Sequence, residues 1–216
     1  NRWQAAQTFA LRLLIAGFEA AKALGAPRPD PRFAVALGAL LASTTDDAFA
    51  AQVMTLPSET DIAREIGSEI DPDAVLAARR ALRASVGRRI ADTLEAVYAS
   101  RASSETYSPD ARSAGRRALR NAALDLLAAG DPERGAVLAS RQFEAADNMT
   151  DRFAALATLS LIPGQARGNP RAAFARRHAG GPLGLGKWFA LQAAIPGARA
   201  LDRLRALMGR EGFSLA

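Results

Sequence analysis

The chain contains 216 residues, enough to bury a hydrophobic core as one large domain or two small ones. Its 28 basic residues outnumber its 22 acidic residues, but they are spread along the chain and mixed with acidic ones, which argues against a dedicated nucleic-acid interface. There is no cysteine, which excludes disulfide bonds, zinc–thiolate sites and thiol chemistry.

The first predicted element is an amphipathic helix over residues 3–24. Gly25 and the following turn PRPDP are typical of a helix end. The most apolar run in this helix, ALRLLIAGF, is interrupted by Arg12 and is too short to span a bilayer. No signal peptide precedes it, and we expect a cytoplasmic protein. The chain starts with Asn1 rather than Met, which suggests a piece excised from a longer protein.

A capping residue followed by proline predicts four further helix starts. The side-chain oxygen of the first residue accepts a hydrogen bond from a free backbone N–H, and proline suits the first helical position because it has no N–H to satisfy. The four pairs are Asp71–Pro72, Ser108–Pro109, Asp131–Pro132 and Asn169–Pro170.

Apolar residues between these starts recur at helical spacing. The predicted buried stripes are Val75, Ala78, Leu82, Val86, Ile90, Leu94 and Val97 within 72–100, then Leu119, Ala123, Leu126 and Leu127 within 109–129, and Leu201, Leu204 and Met208 near the end. Gly130 is expected to end the second of these helices. Alternating strand patterns and hairpin signals are nearly absent. We therefore predict an all-α fold: a single domain over 1–216, built as an irregular superhelical stack of about ten or eleven antiparallel helices of the HEAT/armadillo type.

The segment QFEAADNMTDRFAAL (142–156) has a cluster of small polar residues between two helices. Asn148 or Thr150 is expected to cap a helix that begins at Asp151, whose carboxylate suits the positive end of the helix dipole. The side chains expected to pack the two helices together are Phe143, Phe153 and Leu156. We interpret the segment as a structural joint and not as a reactive site.

Signals for chemistry are weak. His178 is the only histidine, and a hydrolytic zinc site usually requires two or three imidazoles. The sequence GPLGLGKW (181–188) approaches a phosphate-binding loop, but it lacks a preceding strand and has Trp188 where a magnesium-binding hydroxyl is needed. We interpret 163–187 as loop, short helix and loop, leading into the helix KWFALQAA. We predict no catalytic, cofactor-binding or metal-binding residue in the chain.

The sequence also resembles the C-terminal helical region of bacterial aminopeptidase N, a zinc-dependent alanyl aminopeptidase. The words that carry the resemblance, in order, are NRWQAAQ (1–7), LPSETDIAREI (56–66), IDPDAVLAARRALR (70–83), GRRALRNAALDLL (115–127), SRQFEAADNMTDRFAALATLS (140–160) and KWFALQAAIP (187–196). The chain departs from the family pattern at two places. Gly184, Leu185 and Gly186 replace the hydrophobic pair and Asp that usually precede KWF, and the family normally continues through further helices beyond GFSLA.

The resemblance implies that this chain is the N-terminal part of a non-catalytic helical domain that encloses a peptide chamber over a catalytic domain. In the family, the zinc is held by the two histidines of HExxH and a distant Glu, and a G-x-M-E-N segment binds the free amine of the substrate. None of these motifs occurs here, so zinc and peptide substrates are expected only in the full-length enzyme. The partners implied are the other domains of the same polypeptide, without nucleic acid or membrane.

Two other functions stay open at this point. A free-standing helical-repeat module that recruits a protein partner would show a contiguous exposed groove along successive helices. A nucleic-acid-binding protein would be retained on heparin or DNA with steep salt dependence.

Overall fold

The computed structural model describes residues 2–103, 107–162, 173–174, 182–197, 199–210 and 213. Eleven α-helices have both ends within these ranges, and no strand occurs there. They are α1 (Arg2–Lys22), α2 (Pro31–Ser43), α3 (Asp47–Met54), α4 (Glu59–Ile66), α5 (Pro72–Arg89), α6 (Ala91–Ser100), α7 (Ala111–Gly130), α8 (Pro132–Ala145), α9 (Met149–Leu161), α10 (Pro182–Ala194) and α11 (Ala200–Met208). The predicted all-α class is confirmed.

The chain divides into two compact units, residues 1–135 and 136–216. Helices α1 to α7 belong to the first unit, α9 to α11 belong to the second, and α8 begins in the first and ends in the second. The prediction that residues 1–216 form a single domain stays a prediction.

The core of the first unit forms around α5, which packs against α1 and α7, while α7 also packs against α3 and α6. The predicted stripe of α5 to α6 is buried except at Ile90, and the predicted stripe of α7 is buried throughout. The largest fully buried side chains of the first unit are Leu14, Phe18, Phe33, Ile62, Leu82, Val86, Leu94, Leu119 and Leu124. Helical apolar periodicity therefore identified the buried faces of these helices.

Helices α5 and α7 cross at two glycines, Gly87 and Gly130. A Cβ atom on Gly130 would lie 2.5 Å from the carbonyl carbon of Gly87 and 2.6 Å from the backbone nitrogen of Arg88. No side chain fits between the two backbones at this point. The sequence predicted Gly130 only as a helix stop; in the structure it is the last residue of α7 and also half of this crossing.

Two of the four predicted cap-and-proline starts are confirmed and one is wrong. Asp71 accepts hydrogen bonds from the backbone of Asp73 and Ala74 at the start of α5, and α8 begins at Pro132. The helix predicted to start at Ser108–Pro109 begins instead at Ala111, because Asp110 accepts the hydrogen bond from the Ser113 N–H at 2.9 Å. A carboxylate is the stronger cap, since it also interacts favourably with the helix dipole. Asn169–Pro170 lies outside the described residues.

Helix α2 begins within PRPDP, which the sequence analysis predicts only as a turn. Asp30 accepts a hydrogen bond from the Arg32 N–H at 2.8 Å, and Pro31 occupies the first helical position. This is the same device as at α5, so the signal was present in the sequence.

Helix α1 ends at a left-handed residue that is not glycine. Leu24 has φ of 57°, its N–H bonds to the Ala21 carbonyl, and the Gly25 N–H bonds to the Ala20 carbonyl at 2.8 Å. This hydrogen-bond pattern is a Schellman motif, in which glycine normally takes the position held here by Leu24. The expected end of the helix is confirmed within two residues, but Gly25 is not its left-handed residue.

The predicted helical segment 72–100 is divided at Ile90, whose φ of −120° and ψ of 33° separate α5 from α6. The Ile90 N–H still bonds to the Val86 carbonyl, and the Leu94 N–H bonds to the Ile90 carbonyl. Because hydrogen bonding continues through the bend, the apolar spacing continues as well, and it gave no signal of the break.

The second unit has its own hydrophobic cluster. Leu156, Phe174, Trp188 and Leu207 are buried in it, and Phe143, Phe153 and Phe189 pack against them. The predicted packing roles of Phe143, Phe153 and Leu156 are confirmed, and Trp188 lies in the core as expected.

Two predictions in this unit are wrong. Residues 182–187 are not a loop, because α10 already begins at Pro182, and proline suits the first helical position. Leu201, Leu204 and Met208 form an exposed face of α11, and Leu207 on another side of the helix is the buried residue. Spacing alone identifies an apolar face but does not show whether anything covers it.

Candidate functional surface on helices α6 and α7

None of the candidate chemical motifs of the sequence assembles a reactive site within the described residues. No group of three or more His, Cys, Asp or Glu side chains there could hold a metal ion, and no described helix is long and apolar enough to cross a membrane. His178 lies outside the described residues. Gly184 to Lys187 are helical, and the Lys187 Nζ lies 5.2 Å from the ring centroid of Phe153. Most of GPLGLGKW therefore lies within α10, whereas a phosphate-binding loop needs these glycines ahead of its helix.

The joint at 142–156 is a helix cap. Helix α9 begins at Met149, two residues before the predicted position, and Asn148 is its cap: the Asn148 Oδ1 accepts from the Asp151 N–H at 2.9 Å. The Asn148 amide donates to the carboxylates of Asp147 and Asp151 at 2.9 and 3.1 Å. The carboxylates therefore hold the capping side chain, and Thr150 is not the cap.

Most of the arginines with described contacts in the first unit have internal partners. Arg83 pairs with Asp125, Arg101 pairs with Asp47 at 2.9 Å, and Arg134 pairs with Glu95 at 2.5 Å. Further examples are Arg79, which donates to the Pro57 carbonyl, and Arg116, which donates to the carbonyls of Arg101 and Ala102 at the end of α6. Burial, reinforced by the neighbouring Arg83, lowers the pKa of the Arg79 guanidinium from its ordinary value.

Arg117 and Arg120 on α7 differ from these arginines because each stacks on a tyrosine. The Arg117 Cζ lies 4.7 Å from the ring centroid of Tyr107, and the Arg120 Cζ lies 4.6 Å from that of Tyr98. These are the only two tyrosines in the chain. A guanidinium over an aromatic face is favourable by about 0.5–1 kcal/mol at exposed sites and keeps its edge available for hydrogen bonds.

Neither Arg117 nor Arg120 has a carboxylate within 4 Å among the described residues. The Nε atoms of both are buried without a hydrogen-bond partner there. The Arg120 Nη2 donates a hydrogen bond to the Tyr98 hydroxyl at 3.4 Å. The positive charge of these two side chains is therefore not neutralised by a described acidic side chain.

An open groove lies next to the Gly87–Gly130 crossing. Its volume is about 690 Å³, and its lining includes residues from the ends of α5, α6 and α7 and the start of α8. The lining residues are Gly87, Arg88, Ala91, Glu95, Leu127, Gly130, Asp131, Pro132, Glu133 and Arg134. The groove combines a small apolar floor with charges of both signs.

The groove and the stacked arginines lie along the same seam between two antiparallel helices. Arg116 contacts the carbonyl of Arg101 and Arg120 contacts Tyr98, so residue numbers rise along α7 as they fall along α6. Residues three, four or seven apart share a helix face, which places Tyr98 beside the groove residues of α6 and Arg120 beside those of α7. We call this strip, from Tyr107 and Arg117 to the groove, the α6–α7 seam.

The start of α7 is fixed by a charged cap. Hydrogen bonds to the side chains of Ser108 and Ser113, and to the backbone of Ser113, hold the pKa of the Asp110 carboxyl well below its usual range. An ionised cap satisfies the free N–H groups of the first turn, and the arginines of α7 follow within the next three turns.

Comparisons with known proteins relate the whole chain to the helical region of aminopeptidases. The family described as a domain of unknown function (DUF3458_C) with ARM repeats matches residues 1–216. Aminopeptidase N of Caulobacter vibrioides is 36% identical over an alignment that covers 99% of this chain and 24% of the relative. Aminopeptidase N of Escherichia coli K12 is 34% identical over an alignment that covers 100% of this chain and 25% of the relative. The chain spans about a quarter of the length of these curated relatives.

A solved structure shares the fold. Legionella pneumophila aminopeptidase A, crystallised in complex with aspartic acid, matches 100% of this chain and 26% of its own chain with a TM-score of 0.83 and 21% identity. The resemblance to aminopeptidase N is confirmed. Because a single family covers every residue of the sequence, the chain belongs to the DUF3458_C family of ARM-repeat domains.

Proposed function

We propose that this chain is a non-catalytic helical domain of a zinc-dependent aminopeptidase, an enzyme that removes single amino acids from peptide N-termini. The observation that carries the proposal is the alignment of the whole chain with about a quarter of aminopeptidase N at 34–36% identity. The chain has one histidine, whereas the HExxH motif needs two. The zinc ligands and the general base therefore belong to another part of the polypeptide.

The domain's contribution is its shape. It encloses part of the substrate chamber above the catalytic domain, admitting peptides and excluding folded proteins. A stack of short helices suits this role because repeat packing builds an extended, rigid wall from local contacts. The partners of the chain are then the other domains of its own polypeptide, and its compartment is the cytoplasm.

The proposal is tested first on the purified chain 1–216. Zinc content by mass spectrometry and cleavage of an alanyl chromogenic substrate are measured beside a full-length aminopeptidase N. We expect no stoichiometric zinc and no cleavage by the chain. Zinc-dependent turnover by the chain alone would overturn the non-catalytic role.

The gene sequence upstream of Asn1 provides an independent test. An HExxH motif followed by a distant glutamate supports the proposed enzyme. Hydrogen exchange then locates the wall: surfaces of 1–216 that meet other domains should exchange more slowly in the full-length protein than in the isolated chain. Equal exchange everywhere would contradict a wall packed over a catalytic domain.

A second candidate is a free-standing protein-interaction module, which is favoured by the ARM-repeat description of the family. It predicts a start codon next to Asn1 and no upstream peptidase motif. The same gene sequence therefore separates the two functions.

A further inference from the structure

We propose that the α6–α7 seam binds a short extended peptide, with the carboxylate end of the peptide at Arg117 and Arg120 and its body in the groove. This inference goes beyond the proposed function, because it concerns a binding site formed by this chain alone and requires no zinc. The ligand class is a peptide of about four residues with a free carboxyl terminus.

The positive end of the seam selects a carboxylate. Arg117 and Arg120 lie one helical turn apart on α7, stack on Tyr107 and Tyr98, and have no described acidic partner within 4 Å. The guanidinium fork matches a carboxylate in two parallel hydrogen bonds. Stacking on the rings holds both forks in place, which reduces the side-chain entropy that binding would otherwise remove.

The groove end of the seam suits a peptide body. Ala91, Leu127 and Pro132 line it with small apolar surface, and the ion pair of Arg134 with Glu95 lies beside them. Glu133 lines the same groove and has no ion pair among the described residues, so its carboxylate is available to a free amino group. A simple anion would use the arginines and leave the groove empty.

The separation of the two ends sets the length of the ligand. Ala91 and Tyr98 are seven residues apart on α6, and Arg120 and Leu127 are seven apart on α7. At 1.5 Å per residue this is about 10 Å along the seam. An extended chain advances about 3.3 Å per residue, so about three residues bridge the distance and a fourth fills the groove.

The test measures binding of tetra-alanine to the chain 1–216 by titration calorimetry, with tetra-alanine amide and sodium acetate as comparison probes. We expect the free acid to bind at least about tenfold more tightly than the amide, the size of one lost charge-assisted hydrogen bond. Acetate should bind more weakly than the peptide, because it makes no contact with the groove. Equal binding of acid and amide, or no binding of the acid at about 1 mM, would overturn the inference.

Paired variants locate the site. Arg120→Gln should abolish the preference for acid over amide, while Arg112→Gln, an exposed arginine two turns earlier on α7, should preserve it. Ala91→Gln places a longer side chain in the groove and should weaken tetra-alanine but not acetate, whereas Ala96→Gln on an exposed position of α6 should change neither. Circular dichroism confirms that each variant is folded.

The outcomes stay separate from those of the proposed function. Loss of the preference in Arg112→Gln, or no effect of Arg120→Gln, would place the ligand elsewhere and refute the inference. Hydrolysis of tetra-alanine by the chain would instead refute the non-catalytic role. The effects of Arg120→Gln and Ala91→Gln on binding would still decide whether the peptide lies in the α6–α7 seam.

Discussion

The crossing of α5 and α7 predicts that glycine-to-alanine substitution destabilises the protein at Gly87, whereas the same substitution stabilises it at an uncrowded helical glycine. Gly87→Ala adds one methyl group where its Cβ would lie 2.7 Å from the backbone nitrogen of Gly130, and closer still to the carbonyl oxygen of Leu126. Ordinary contact begins at 3.4 Å, so the two backbones must separate by at least 0.7 Å (3.4 − 2.7). Both neighbours are backbone atoms, and no rotamer change can relieve the overlap.

The magnitude follows from the packing on either side of the crossing. A gap of about 0.5–1 Å forfeits a quarter to a half of each dispersion contact, and a buried leucine makes about 40–60 contacts of about 0.1–0.2 kcal/mol each. Losing a quarter of these for one side chain such as Leu126 is worth about 2 kcal/mol. With strain at the crossing itself, and after the gain of about 1 kcal/mol in helix propensity, we expect Gly87→Ala to destabilise the protein by about 2–3 kcal/mol.

Two other helical glycines are matched controls. Gly186→Ala in α10 meets nothing within 4 Å and should stabilise by about 0.5–1 kcal/mol through helix propensity alone. Gly38→Ala in α2 meets the side chain of Ile90, whose Cγ2 would lie 3.2 Å away, and the small shift that this side chain must make should offset most of the gain in helix propensity. Urea unfolding followed by far-ultraviolet circular dichroism measures all three. If Gly87→Ala were as stable as Gly186→Ala, the crossing described here would be wrong.

Three further perturbations test local features. Leu24→Gly should stabilise the protein by about 0.5–1 kcal/mol in thermal unfolding, because Leu24 has a left-handed backbone conformation that glycine adopts without strain and its side chain is 98% exposed. An equal gain in Leu24→Ala would show that relief of backbone strain is not the cause. Asp125→Asn should destabilise the protein by about 1–2 kcal/mol, because its partner Arg83 is only 12% exposed and would lose its counter-charge. Asp202→Asn should destabilise it much less, because the pair of Asp202 with Arg205 is exposed to solvent. Asp110→Ala should lower the melting temperature above about pH 4, and the difference from the wild type should shrink as the pH is lowered. The pKa of Asp110 in the folded state lies below its value in the unfolded state. The stabilisation by the ionised cap is therefore complete above the unfolded pKa and is lost as the pH falls through the folded pKa. A difference between wild type and Asp110→Ala that stays constant down to the lowest pH at which the protein is folded would show that the cap does not act through its charge.

The sequence was sufficient for the parts of the fold that depend on local physics. Apolar spacing located the buried faces of α5 and α7, and cap chemistry located the starts of α5 and α8. It failed where two local signals competed, as when Asp110 displaced the cap predicted two residues earlier at Ser108. It also failed where tertiary contact decides, because the apolar face of α11 has the same spacing as a buried face and is nevertheless exposed.

The candidate surface could not be predicted because its parts are distant in sequence. Arg120 meets Tyr98 across 22 residues, and Arg134 meets Glu95 across 39. In the sequence Arg120 is indistinguishable from Arg83 or Arg101, whose charges are neutralised by acidic partners that are also distant in sequence. Which arginines keep an available charge is therefore decided by helix register, and composition contains no record of it.

The two glycines of the crossing join the stability of the fold to the proposed site. Gly87 and Gly130 let α5 and α7 approach until their backbones touch, and the same two residues line the groove at the end of the seam. A larger residue at either position would place its Cβ between the two backbones and separate the helices. Because both glycines also line the groove, the same separation would move the walls of the proposed site.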